Sequence, residues 1–128
     1  MAILGLVLLA AAFFAGWLPV RGDLVEARSA ARACDEERRT ARLAERIGQV
    51  YLETTEKNYG IAGQASTQFF NEVRQAAEAT IDPARKARLQ EIAASRDAVT
   101  SALAQGDPAA LVPLREAFRK TLALGQSR

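Results

Sequence analysis

The sequence predicts an all-α protein in three parts: a single transmembrane helix, a helical stalk and a small antiparallel bundle of three or four helices. Three observations lead there. The first twenty residues carry no charged side chain, whereas all 17 basic and 15 acidic residues fall from position 21 onward. The charged part repeats its apolar residues at helical spacing. Its turns are helix-to-helix punctuation, and no alternating β-branched run predicts a strand.

Residues 1–20 are read as the anchor. The run from Ala2 to Val20, AILGLVLLAAAFFAGWLPV, would span roughly 28 Å as a helix, close to the hydrocarbon thickness of a bilayer. Trp17 falls near its end, where an amphipathic ring favours the headgroup level, and Arg21 lies just outside. No Lys or Arg precedes the run, as the n-region of a cleaved signal peptide requires. Arg21, Arg28 and Arg32 follow it, and an excess of arginine on that side predicts a cytoplasmic location for everything after the anchor.

Residues 21–42 are read as the stalk. They are rich in Ala, Arg and Glu, all good helix formers. Leu24, Ala27, Ala31 and Cys34 recur at spacings of three, four and three, a heptad seam too poor in large side chains to make more than a weak coiled coil. The next seam places are Arg38, Ala41 and Glu45, so the register fails there. A second seam, Leu43, Ile47, Val50 and Thr54, begins in another phase and opens the bundle, assigned to residues 43–128.

Lys57-Asn58-Tyr59-Gly60 predicts a break, with Asn and Gly the residue types that tolerate the left-handed conformation at a helix end. The next helix, 61–80, has Phe69, Phe70, Val73, Ala76 and Ala77 on one face. Asp82-Pro83 opens a third, with the aspartate as N-cap and proline at the first helical position. Its stripe is Leu89, Ile92, Val99 and Leu103. Gly106-Asp107-Pro108 repeats the punctuation, and a last helix over 109–124 places Leu111, Leu114, Phe118 and Leu122 on one side. Pro113 offsets or bends its start.

Function is constrained mostly by exclusion. Residues 21–56 carry seven arginines against eight acids, so no clustered basic face predicts nucleic-acid binding. The chain has no histidine, the commonest general base and transition-metal ligand. Asp35, Glu36 and Glu37 are sequential and fan around a helix, with Arg39 one turn away from the first two as a surface partner. There is no phosphate loop and no nucleophile elbow. Tyr59-x-x-Ala62 echoes a spacing of tetratricopeptide repeats, but the full 34-residue signature is absent. Neither enzymatic activity nor a cofactor or metal is expected. Cys34, the lone cysteine, is read as a small buried thiol filling a seam position, in preference to a bridge between two copies of a parallel dimer.

The residues thus predict a non-enzymatic, single-pass membrane protein that presents a protein-interaction or scaffolding surface. Its partners are the lipid bilayer, an unidentified protein and, through the stalk, further copies of itself. Leu43, Ile47, Val50, Tyr59, Phe69 and Phe70 are the candidate interaction and packing residues. The alternatives, a ligand-sensing extracytoplasmic bundle or a phage-type lysis protein with a coiled-coil ectodomain, require the opposite orientation.

Overall fold

A computed structural model describes residues 24–126 with their side chains. The described residues form helices joined by short turns, with no strand among them. Its elements are α1 (Ala2–Thr55), α2 (Tyr59–Ala79), α3 (Pro83–Ala93), α4 (Arg96–Ala104), a short 3₁₀ turn (Pro108–Ala110) and α5 (Leu111–Gln126). Two compact units divide between Asp35 and Glu36. No helix of the described residues is long and apolar enough to cross a membrane. Residues 1–20, where the sequence places the anchor, lie outside them.

In the second unit, the last five turns of α1 and the helices after it form an antiparallel bundle. Residue pairings give the directions. Arg46 on α1 meets Glu72 on α2 (3.2 Å), and Glu36 on α1 meets Thr80 just after α2 (3.1 Å), so the numbers run oppositely. Thr40 approaches Gly125 and Gly48 approaches Phe118, which sets α5 antiparallel to α1. Lys120 on α5 reaches Glu91 on α3 (4.0 Å). α2 packs along both α3 and α4.

The interior follows from the helical period. α1 buries Thr40, Leu43, Ile47, Val50 and Thr54, spaced three or four residues apart on one face. α2 contributes Ala62, Ala65, Phe69, Phe70, Val73, Ala76 and Ala77, and α3 with α4 contributes Leu89, Ile92, Val99 and Leu103. The buried threonines Thr54 and Thr121 donate to Val50 O (2.7 Å) and Ala117 O (2.8 Å) one turn back, so neither leaves a polar group unpaired. Ser66 does: its hydroxyl is buried with no hydrogen-bond partner.

Caps punctuate the turns as the sequence predicts at two places. Asp82 accepts from the amide of Ala84 (2.9 Å) and Asp107 from that of Ala109 (2.8 Å), each with proline next in line. Gly106 has φ +64° and closes α4: its amide donates to Leu103 O (3.1 Å), and that of Asp107 to Ala102 O (2.9 Å). These two bonds make a Schellman motif.

Four expectations are corrected. The left-handed residue that ends α1 is Lys57 (φ 64°), not Asn58 or Gly60. It completes the same motif, with Asn58 N bonded to Glu53 O (2.8 Å) and Lys57 N to Thr54 O (3.1 Å). The helix expected to run on from Pro83 is cut in two at Ala94 and Ser95, where Ser95 Oγ bonds Ile92 O (2.7 Å) and competes with the helical ladder. On α5 the buried residues are Leu114, Ala117, Thr121 and Leu124, while Leu122 is exposed. Glu36, expected to pair with Arg39, accepts from Thr80 instead. Pro113, third in α5, does offset the start, which is preceded by the 3₁₀ turn.

Lys57 makes a test of the first correction. A lysine in the left-handed region costs about 1 kcal/mol that glycine does not. Lys57→Gly is therefore expected to raise stability by about 0.5–1 kcal/mol in urea titration, and Gly106→Ala to lower it by a similar amount. A destabilised Lys57→Gly protein would show that the lysine side chain contributes more than its backbone costs.

Candidate functional site

Of the six residues singled out from sequence, five lie inside. Leu43, Ile47, Val50, Phe69 and Phe70 are all buried in the core, and the rings of Phe69 and Phe70 meet edge to face with centroids 5.0 Å apart. They hold the bundle together and offer a partner no surface. Tyr59 differs. It is half-buried at the first position of α2 and packs against the core with part of its ring.

Tyr59 stands at one end of an open groove of about 570 Å³ between the first two turns of α2 and the last turn of α4. α2 supplies Gly60, Gly63, Gln64 and Thr67, and the other wall is Thr100, Leu103, Ala104, Gln105 and Gly106. Leu103 is buried beneath this wall. The backbone turn at Gly106 brings the two walls together: a Cβ there would stand 3.5 Å from Tyr59 Cδ2. A Cβ at residue 106 would thus rest in ordinary contact with the tyrosine ring, and its cost would come from the positive φ.

The floor of the groove on the α2 side is bare. Beyond the helix's own backbone, nothing among the described residues lies within 4 Å of where a Cβ would stand on Gly60 or Gly63. Packing therefore does not require glycine at either place. In a helix interior glycine is less favourable than alanine by about 0.8–1.0 kcal/mol. Gly63→Ala is expected to stabilise the bundle by up to about 1 kcal/mol, measured by thermal or urea unfolding. A loss of stability would mean that the backbone at 63 is held by something other than helix packing.

The polar atoms of the groove are amides and hydroxyls. Thr67 Oγ1 donates to Gly63 O (3.0 Å), and Gln105 Nε2 donates to Ser101 Oγ (3.2 Å). No carboxylate, amine or thiol lines it. Among the described residues no group of three or more His, Cys, Asp or Glu could hold a metal ion.

A second polar cluster lies at the other end of the bundle. Thr40 Oγ1 donates to Glu36 O (2.8 Å) and accepts from Arg85 Nη2, which also reaches Glu36 O (3.4 Å). Thr80 Oγ1 donates to Glu36 Oε1 and accepts from Asp82 N (3.3 Å). These bonds tie α1 to the α2–α3 connection, and each group in them already has a partner. The cluster is structural.

Sequence reasoning reached Tyr59 and Gly60 through the helix break. It missed the opposite wall, some forty residues further on. The nearest signal was Gly106, which marked a helix end and nothing more. Compared with protein-family models, with curated proteins and with solved structures, the chain matches none.

Proposed function

We propose that this chain is a non-enzymatic, single-pass membrane protein whose helical bundle presents the α2–α4 groove to a segment of another protein. The observation that carries the reading is the bare floor at Gly60 and Gly63, where the helix gives up stability that alanine would restore and keeps its backbone accessible. Open glycine backbone next to a half-exposed tyrosine suits an extended or helical segment, which needs close approach along a line. The groove volume is also that of a small-molecule site, but such sites enclose most of their ligand, and this one is open. The apolar run over residues 2–20 supports the anchor, and Arg21, Arg28 and Arg32 support a cytoplasmic bundle.

Both parts are tested on the full chain expressed in cells. Alkaline carbonate should leave it in the membrane pellet and release a chain lacking residues 1–20. Protease added to spheroplasts should leave the C-terminus intact; its digestion would place the bundle outside and favour the ligand-sensing reading. A photo-crosslinker at Gln64 should capture one discrete protein, lost when Gly63→Leu fills the groove and absent from a crosslinker at Arg74. Equal adducts at both positions, or none, would remove the groove from the account.

A further inference from the structure

The first compact unit, Met1–Asp35, contains no element besides α1. From residue 24 to residue 35 every side chain is exposed, including Leu24 at 50% and Val25 at 67%. Most helical stability in proteins comes from packing an apolar face on something else. Within this unit nothing described offers such a surface.

The seam itself indicates what does. With Leu24 and Ala31 at a, and Ala27 and Cys34 at d, the flanking g places are Asp23, Ala30 and Glu37, and the e places are Arg28, Asp35 and Arg42. In a parallel two-stranded coil each g residue faces the e residue five places further on in the other strand. Asp23 then faces Arg28 of a second copy. Ala30 faces Asp35, which is neutral. No like charges meet between Leu24 and Cys34, and an opposite pair flanks the start of the seam. Arg38 takes the next a place and ends it.

We infer that the stalk docks a second copy of this chain, parallel and in register, over residues 24–37. The inference rests on the anchored reading, because a shared bilayer gives both copies one direction and confines them. That confinement raises their effective concentration, which a seam with a single leucine needs.

The test uses the full chain in proteoliposomes, with Cys34 as its only cysteine. Oxidation with copper phenanthroline should link the copies through Cys34, at d. A Cys34→Ser, Ser29→Cys chain, with its thiol at the outer f place, should link at least tenfold more slowly. Arg28→Glu should slow linking at Cys34 several-fold, and adding Asp23→Arg should restore it, which a general loss of helix would not allow. Equal rates at 29 and 34, or no response to the charge reversal, overturns the dimer. Carbonate extraction of the same liposomes separates the two readings. A chain that stays in the bilayer yet fails the linking test sinks the dimer alone, whereas a chain that is extracted sinks the anchor and, with it, the parallel direction.

Discussion

Phe69→Ala should cost the bundle about 3–5 kcal/mol, the range for emptying a buried phenylalanine site. The ring is fully buried in the middle of α2 and meets Phe70 edge to face. Removing it takes away its own burial, that ring contact, and the packing of whatever lines the space left behind. The fold is held by a single small core of aliphatic and aromatic side chains. Small domains are stable by about 5–15 kcal/mol in all, so this one change removes about a fifth of the total or more. In urea titrations followed by helical circular dichroism, the midpoint should fall by roughly 1–5 M for a slope of 1–3 kcal/mol per molar. A shift worth less than about 1 kcal/mol would mean that the neighbours collapse into the space, and that the α2 core is far softer than its burial implies.

The second large effect separates packing from docking on one helix. Ile47 and Leu52 lie five residues apart on α1, the first fully buried and the second 55% exposed. Ile47→Ala should cost about 2–5 kcal/mol, and Leu52→Ala should stay within about 0.5 kcal/mol. Read as a stripe, Leu43, Ile47 and Val50 look like a surface for a partner, and truncating them would indeed abolish association. It would do so by unfolding the bundle. Association must therefore be probed at Gln64, Tyr59 or the stalk, with the unfolding midpoint of every variant measured alongside. Equal costs for Ile47→Ala and Leu52→Ala would place α1 in a different rotation from the one described.

What was legible in the sequence is what short-range chemistry dictates. Asp82-Pro83 and Gly106-Asp107-Pro108 mark helix ends because a side-chain cap, a missing amide and a positive φ act over two or three residues. The α1 seam at Leu43, Ile47, Val50 and Thr54 was legible because its period matches the helix. Lys57 was not. Lysine has no preference for the left-handed region, and it adopts that region because the Schellman bonds and the turn into α2 require a residue there. The α5 face was misread for a different reason. Leucine outranks threonine in any hydrophobic count, so the stripe takes in Leu122 and passes over Thr121. Thr121 hides its hydroxyl on Ala117 O, and that local bond makes its burial inexpensive. The far wall of the groove was illegible because closing a distance of forty residues is a property of the fold, not of any segment.

The interruption at Ala94 and Ser95 has a mechanical meaning for that groove. α3 and α4 have 11 and 9 residues, each too short to persist as a helix without its neighbours. Because the ladder is already cut between them, a pivot of α4 at these two residues would leave Leu89 and Ile92 of α3 seated. The wall carrying Thr100 and Leu103 would then be a jaw on a two-residue hinge, its opening adjusting to the width of what enters it. Val99 and Leu103 are buried on α4, so such a pivot would have to carry them within the core. Such motion would register as faster amide exchange over 99–104 than over 89–92, with the difference shrinking when the groove is filled. Uniform protection across both helices would describe a rigid slot, matched to one shape of occupant.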